Sequence, residues 1–139
     1  MANTKQQPVI ADIDIEAAIN HAMRAHAPFS HDRHRVNINV NDGVVHLSGY
    51  VKSAPTYRYA LEHIDDVAGV REVIVEDFHN DEEIRLDVGK VVPTGVFVTL
   101  EYGAVILSGN LPDGEDVEAL VRKVGLVPGV HRVWTNFSS

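Results

Sequence analysis

Apolar positions along this chain follow two different spacings, which together predict alternating helices and strands. From Asp12 onward they recur every three or four residues, as on one face of an amphipathic helix: Ile15, Ala18, Ile19, Ala22 and Met23. Asp12 is expected to cap free N–H groups at the start of this helix. Pro28 is expected to end it, and Phe29 to Arg35 to form a polar loop. Between Val36 and Asn41 apolar residues alternate with asparagines, which predicts a strand with one buried face.

A tight turn and a second helix are predicted next. Asn41-Asp42-Gly43 favours a hairpin, because Asp-Gly accepts the positive φ angles that two-residue turns require. The return strand GVVHLSGYV places Val45, Leu47, Gly49 and Val51 on one face. Ser53 is expected to cap the following helix, with Pro55 in its first turn. The helix has an inner stripe of Tyr57, Ala60, Leu61, Ile64 and Ala68, Gly69 is expected to end it, and a third strand contains Val70, Val73 and Val75.

The chain then repeats itself. Residues 36–77 align without gaps with residues 96–137, and ten of the 42 aligned pairs are identical. Every identical residue is apolar, Gly or Ser, so the two segments share a way of folding, and no acid, base or nucleophile is repeated within them. A repeat of this length predicts two copies of one structural unit.

The second copy is predicted to have the same order of elements as the first. Its opening helix is expected over Glu82 to Val91, its hairpin over Phe97 to Leu100 and Val105 to Leu111, its second helix over Glu115 to Gly125 with Asp113 as the cap, and its last strand over Val130 to Phe137. The sequence therefore predicts an α+β fold of two tandem α-β-β-α-β modules, each with two helices on one face of a three-stranded mixed sheet. Residues 1–11 are expected to be a flexible arm, residues 12–79 the first module and residues 80–139 the second.

The repeated segments resemble the BON domain, a bacterial family named for an osmotically induced protein and nodulation proteins. The resemblance lies in GVVHLSGYV and GAVILSGNL, each followed by a helix and then by VAGVREV or VPGVHRV. Its most specific marks are Gly49, Gly69, Gly109 and Gly129. We expect Gly49 and Gly109 to lie where a helix passes close over the sheet, Gly69 and Gly129 where a helix turns into a strand, and Gly43 and Gly103 in the hairpin turns.

The resemblance implies a binding module without catalytic activity. In that family such modules are proposed to bind phospholipid or other ligands, and they are often attached to envelope proteins. The resemblance implies either association with lipid or a place in a bacterial stress-linked assembly. We therefore expect a non-catalytic interaction module, with a protein partner or a second copy as its ligand and phospholipid as a weaker one. No cofactor is expected.

Composition narrows the classes of partner. A net charge of −8 opposes nucleic-acid binding and predicts at most weak contact with anionic phospholipid. The chain has no cysteine, which excludes disulfides and thiolate metal sites. Neither a signal-peptide core nor an apolar run of membrane-spanning length is present in the sequence as given, so we expect a cytoplasmic protein.

Few residues suggest catalytic or metal chemistry. His26, His31 and His34 lie close in sequence around Pro28, and three imidazoles are a donor set for a transition metal. A metal or small-ligand sensor that uses this segment is therefore the alternative function, although loop histidines are more often solvated. Ser48 and Ser108 occur in Ser-Gly pairs without a GxSxG motif, so neither is expected to be a nucleophile. No catalytic residue is predicted.

The face of the sheet that points away from the helices differs between the copies. Strand alternation places Phe97, Thr99, Ile106 and Trp134 on this face in the second copy, where the first copy has Asn37, Asn39, His46 and Ile74. An apolar patch on an open sheet usually marks a contact. Two possibilities remain: the two sheets pack on each other within the chain, or Phe97, Ile106 and Trp134 bind another molecule. In either case we expect this face to be covered.

Overall fold

The computed structural model describes residues 9–138 and has the predicted α+β fold of two modules. The first module contains α1 (Asp12–Arg24), α2 (Ala27–Asp32), a 3₁₀ turn (Arg33–Arg35), β1 (Val36–Asn41), β2 (Val44–Val51), α3 (Ala54–Asp65) and β3 (Glu72–Asn80). The second contains α4 (Asp81–Gly89), β4 (Val96–Glu101), β5 (Ala104–Gly109), α5 (Val117–Gly125) and β6 (Arg132–Phe137). Of the predicted N-terminal arm, residues 1–8 lie outside the described residues, as does Ser139.

Each module has a three-stranded sheet with the same topology. The strand orders are β1-β2-β3 and β4-β5-β6, with the first pair antiparallel and the second parallel. The registers of the antiparallel pairs also agree, since Val36 lies opposite Gly49 and Val96 opposite Gly109. The parallel pair of the first module has a bulge between His46 and Ser48 that the second module lacks. Helices pack on one face of each sheet and enclose two separate cores, in which Leu47 and Leu107 are fully buried at equivalent positions. The prediction of a repeated fold is confirmed.

Both hairpin turns have the conformation that the sequence predicts for the first of them. Asp42 and Gly43 have φ angles of 53° and 79°, and Tyr102 and Gly103 have φ angles of 48° and 80°. Gly43 and Gly103 therefore adopt the left-handed backbone for which glycine is favoured. A tyrosine at such an angle is uncommon. The Tyr102 hydroxyl donates a hydrogen bond to Asp32 of the first module.

The segment around Pro28 was predicted wrongly. The first helix ends at Arg24, and Pro28 lies in the first turn of α2, where the missing N–H has no cost. Phe29 is fully buried rather than part of a polar loop, and so is the carboxylate of Asp32. Ala18 and Ala68, predicted to lie on inner stripes, are exposed, because α1 turns Ala18 outward and α3 ends before Ala68.

One predicted helix cap is confirmed and another is wrong. The Ser53 hydroxyl accepts a hydrogen bond from the Thr56 N–H at 3.2 Å, as expected of a cap at the start of α3. In the second module α5 begins at Val117, so that Asp116 rather than Asp113 is the cap. The equivalent helix is therefore one turn shorter at its start, and three acidic residues close together made the choice ambiguous from sequence.

Gly49 and Gly109 are required for a different reason from the one predicted. A Cβ atom on Gly49 would lie 1.9 Å from the Arg35 carbonyl oxygen, and one on Gly109 would lie 2.3 Å from the Gly95 carbonyl oxygen. The close neighbour is thus the backbone that enters the adjacent strand, and not a helix above the sheet. Gly69 and Gly129 lie in the turns after α3 and α5, as predicted.

Candidate interaction surface

The outer face of the second sheet carries an apolar patch that crosses all three strands. Thr99, Ile106 and Trp134 lie side by side, because Ile106 pairs with Thr99 in β4 and with Trp134 in β6. Phe97 lies on the same face of β4. The side chains of Phe97, Ile106 and Trp134 are 68%, 37% and 49% exposed. These four residues, Phe97, Thr99, Ile106 and Trp134, are called the outer patch below.

The first module does not cover the outer patch. Of the two possible covers, the first module is excluded within this chain, because Phe97, Ile106 and Trp134 stay exposed and the modules meet elsewhere, through Tyr50 with Gly129 and Asp32 with Tyr102. Each sheet therefore keeps its own open outer face. In the first module that face is a shallow polar cavity of about 430 Å³ that includes Asn37, Asn39 and His46. The apolar outer surface belongs to the second module alone.

A groove of about 590 Å³ runs from the outer patch to the junction between the modules. It is lined by Thr99, Ile106, Trp134, Leu100, Ala104, Tyr102, Glu101, His131, Arg132 and Arg35. The Arg132 guanidinium carbon lies 5.2 Å from the Trp134 ring centroid, and that of Arg35 lies 4.9 Å from the Tyr102 ring centroid. The only acid among these lining residues, Glu101, has Lys52 at 3.8 Å. The edge of the patch is thus locally cationic although the chain is acidic.

The groove is held in place by a buried contact between the modules. Asp32, only 2% exposed, accepts hydrogen bonds from the Tyr102 hydroxyl at 2.6 Å and from the Lys52 backbone N–H at 3.0 Å. The Tyr50 hydroxyl donates to the Gly129 carbonyl oxygen at 2.7 Å. The Lys52 contact fixes Asp32 within the first module, while the Tyr102 and Tyr50 hydrogen bonds cross between the modules and place Arg35 beside the Tyr102 ring. Neither Tyr50, Tyr102 nor Asp32 was singled out from the sequence.

Asp12 and Asp81 are equivalent acids of the two modules, although both lie outside the segments that align without gaps. Asp12 accepts hydrogen bonds from the backbone N–H groups of Asp42 and Gly43, and Asp81 accepts from those of Tyr102 and Gly103. These carboxylates fix the hairpin turns to the opening helices, so Asp12 does not cap its own helix as predicted. Their separation is 69 residues rather than 60, because the first module contains α2 and the 3₁₀ turn. That offset hid the pair from an ungapped comparison.

Comparison with protein families identifies the repeated unit. A profile of the BON domain matches twice, over residues 11–78 and 80–138. The chain belongs to the BON domain family. None of the curated proteins compared with it matches its sequence.

Solved structures with this BON fold include a secretion-system protein. The C-terminal domain of CdsD, the structural protein of the type III secretion system of Chlamydia trachomatis, superposes with a TM-score of 0.75 at 14% sequence identity, covering 95% of this chain and 68% of that one. A second structure of CdsD from the same organism gives a TM-score of 0.36 at 13% identity, over 89% of this chain and 91% of that one. At 14% identity the first of these likenesses shows the fold alone. Among residues 9–138 no helix of either BON module is long and apolar enough to cross a membrane.

The junction between the BON modules is expected to weaken at alkaline pH. The pKa of Tyr102 lies above its ordinary value of 10, first because the ring is buried and then because its hydroxyl is hydrogen-bonded to Asp32, whose negative charge adds to the effect. A raised pKa in the folded state means that the unfolded chain releases this proton first. The contribution to stability is therefore complete below about pH 10 and falls above it, by up to about 1.4 kcal/mol per pH unit.

Tyr102→Phe tests this contribution. At pH 8 the free energy of unfolding is expected to fall by about 1.5–3 kcal/mol, because a hydrogen bond to a buried carboxylate is lost. Urea denaturation at pH 8 and at about pH 11 should show the two proteins converging as the pH rises. Some alkaline decline should remain in the variant, since burial also raises the pKa of Tyr50 and of Tyr57. A constant difference between the proteins across this range would contradict the assignment.

The histidines and serines considered for chemistry do not form a site in the BON chain. The His26 ring is stacked on Tyr59 at 4.0 Å, with its Nε2 buried and unpartnered, while His31 and His34 are exposed. Over residues 9–138, no group of three His, Cys, Asp or Glu side chains has a metal-binding arrangement. Within that range the serine side chain that forms hydrogen bonds is Ser53, and neither Ser48 nor Ser108 is joined to a base. The outer patch, with three large apolar side chains exposed on one sheet face, is therefore the candidate site.

Proposed function

We propose that this BON protein is a protein-interaction module that binds its partner through the outer patch and the adjoining groove. The observation that supports the proposal is the simultaneous exposure of Phe97, Ile106 and Trp134 on one flat sheet face. Covering one large apolar side chain is worth roughly 1.5–3 kcal/mol. Tryptophan and arginine are also the residue types most enriched among those that dominate binding energy, and both occur here.

The charges around the patch indicate what kind of partner fits. Arg35, His131 and Arg132 border the groove, and the nearby acid Glu101 is already close to Lys52. A partner segment with an apolar centre and flanking carboxylates would pair with Arg35 and Arg132 and cover the patch. Complementary charge of this kind chiefly accelerates association and selects the partner. We therefore assign an acidic, partly apolar protein surface as the ligand.

Phospholipid is a weaker fit to the same surface. The chain has a net charge of −8, and an anionic vesicle would be repelled by most of the molecule. The cationic residues at the groove lie beside a sheet face and not on a long amphipathic helix of the type that inserts into the headgroup layer. Tight, salt-sensitive binding to anionic vesicles at neutral pH would contradict the assignment of a protein ligand and favour phospholipid instead.

The internal repeat supplies a matched control for the test. Ile106→Asp places a charge in the outer patch, and His46→Asp places the same charge at the equivalent position of the first module. Both residues are on the outer face of their sheets, so both variants should fold and keep the stability of the parent within about 1 kcal/mol. Partner binding should fall at least tenfold for Ile106→Asp and remain within twofold for His46→Asp.

The measurement uses the intact chain. Proteins captured from the source cell by immobilised parent, Ile106→Asp and His46→Asp chains are compared, and the affinity of each selected partner is then measured with purified components. Sedimentation at several concentrations decides whether the partner is a second copy. Trp134, the only tryptophan, should shift its emission to shorter wavelength on binding. Equal capture by all three chains would overturn the proposal.

A further inference from the structure

The internal repeat gives two copies of the surface at the hairpin-turn end of the sheet. In the second module the Tyr50 ring lies on this surface, and in the first module the surface borders a cavity. In the second module the Tyr50 ring covers the turn end of the sheet, where a Cβ atom on Gly103 would lie 2.5 Å from the ring and 2.6 Å from the Gly129 carbonyl oxygen. The hydroxyl of Tyr50 donates to that same carbonyl oxygen at 2.7 Å. His79 and His131 flank the ring at 5.9 and 5.6 Å between centroids. This arrangement is called the second-module pocket.

The first module has the same backbone arrangement. A Cβ atom on Gly43 would lie 2.8 Å from the Gly69 carbonyl oxygen, closely matching the distance at Gly103. Asp12 binds the turn just as Asp81 does in the second module. Beneath the turn, a Cβ atom on Gly69 would lie 3.0 Å from the Ile15 side chain, and one on Gly129 would lie 2.8 Å from that of Ile84. The site that receives Tyr50 in the second module is therefore also built in the first.

At the first site, however, no aromatic ring is bound among residues 9–138. It is an open cavity of about 590 Å³, lined by Val9, Ile10, Ala11, Asp12, Asp42, Gly43, Gly69, Val70 and Arg71. This cavity is called the first-module pocket. Ile10 lies where His79 lies in the other module, and Arg71 is equivalent to His131. The Arg71 methylene groups lie 2.9 Å from a Cβ atom built on Gly43, where the other module has the Tyr50 ring, so this exposed side chain must move aside for a ring to enter. Within the described residues nothing donates a hydrogen bond to the Gly69 carbonyl oxygen.

The residues that differ still suit an aromatic ring. Ile10 offers apolar contact. Among residues 9–138 the hydrogen bond of the Arg71 guanidinium is a long one, 3.3 Å to the Asp42 carbonyl oxygen, so the guanidinium can move to lie over a ring face. The chain cannot fill this pocket with its own second module by repeating the internal contact, because the position equivalent to Tyr50 is Asn110. An amide side chain of that length lacks the ring and the hydroxyl reach of tyrosine.

We propose that the first-module pocket binds a tyrosine side chain presented by a partner protein, in the way that the second-module pocket binds Tyr50. The ring lies between Ile10 and Arg71, and its hydroxyl donates to the Gly69 carbonyl oxygen. The chain then has a second interaction surface, at the opposite module from the outer patch and independent of it. A partner with an exposed tyrosine near the end of a strand would dock on the first module as the first module docks on the second through Tyr50.

The pocket can be tested with p-cresol, the side-chain analogue of tyrosine, in the intact ¹⁵N-labelled protein. Amide signals of Gly43, Gly69 and Arg71 should shift and saturate in the millimolar range, as expected for a ligand of about eight heavy atoms. Those of Gly103 and Gly129 should not move, because Tyr50 occupies their pocket. Toluene, which lacks the hydroxyl, should bind several-fold more weakly.

A variant of the same chain provides the matched positive control. In Tyr50→Ala the second-module pocket is vacated, and p-cresol should then also shift Gly103 and Gly129. If Tyr50→Ala does not fold, Tyr50→Phe keeps the ring and should leave the Gly103 signal unresponsive, as in the parent. A synthetic peptide of residues 48–53, which carries Tyr50, should shift the same first-module amides as p-cresol, and its Phe counterpart should do so less.

Three results would overturn the proposal. The first is an absence of shifts at Gly43 and Gly69 in the parent chain. The second is equal affinity for toluene and p-cresol, which would indicate unspecific apolar contact. The third is a response that occurs only in a chain lacking residues 1–8, since the occupant would then be the protein's own N-terminal segment. None of these results bears on the outer patch, whose test uses Ile106.

Discussion

Leu107→Ala is expected to lower the free energy of unfolding by about 2–5 kcal/mol. Leu107 is completely buried in β5 between the sheet and the helices of the second module. Truncation removes its apolar contacts and leaves a cavity that a sheet fixed on both sides by β4 and β6 cannot close. Leu47→Ala should have a similar effect in the first module, because Leu47 is the equivalent buried residue of β2.

Leu126→Ala is the control for that experiment. Leu126 is 83% exposed after the end of α5, so its truncation should change stability by no more than about 0.5 kcal/mol. Chemical denaturation followed by circular dichroism measures all three variants. An effect of Leu107→Ala as small as that of Leu126→Ala would show that the second core is not packed as described.

Gly109→Ala is expected to be the more damaging of two otherwise matched glycine substitutions. Gly109 and Gly114 have almost the same φ, 90° and 89°, so alanine is strained at both, at a cost of about 1–3 kcal/mol. At Gly109 the new Cβ would also lie 2.3 Å from the Gly95 carbonyl oxygen, whereas at Gly114 no atom lies within 4 Å. The backbone must move at Gly109, which adds a further 1–3 kcal/mol or so.

Comparing Gly109→Ala with Gly114→Ala separates the cost of backbone strain from the cost of the clash between the new Cβ and the Gly95 carbonyl oxygen. Both variants are unfolded by urea under identical conditions, and the difference between their free energies of unfolding is the cost of the close approach of the strands. Gly49→Ala should repeat the result, because its Cβ would lie 1.9 Å from the Arg35 carbonyl oxygen. Equal losses for Gly109→Ala and Gly114→Ala would mean that the segments before and after the hairpin are not held together.

Local features of the sequence predicted most of the fold. The asparagine alternation of β1, the Asp42-Gly43 turn and the Ser53 cap depend on neighbours within a few residues, and each was found where the pattern indicated. Pro28 was misleading because proline both ends helices and begins them. Only the burial of Phe29 against the rest of the module decides between those two uses.

The candidate sites were only partly predictable. Strand alternation gave the outer patch, since it needs nothing beyond the direction of side chains along β4, β5 and β6. The contact of Asp32 with Tyr102 joins residues 70 positions apart in different modules, and no local pattern encodes it. One signal was available: a tyrosine at a turn position that favours Asp or Asn is a costly choice, which suggests that its ring is needed elsewhere.

Asn80 leaves the two modules without a hinge. It is the last residue of β3, and its side chain also accepts the Glu83 N–H at 2.9 Å as the cap of α4. Strand and helix therefore follow each other with no intervening residue to absorb a rotation. We therefore expect a force on the first sheet to reach the first turn of the second module directly, and the two modules to move together as one body.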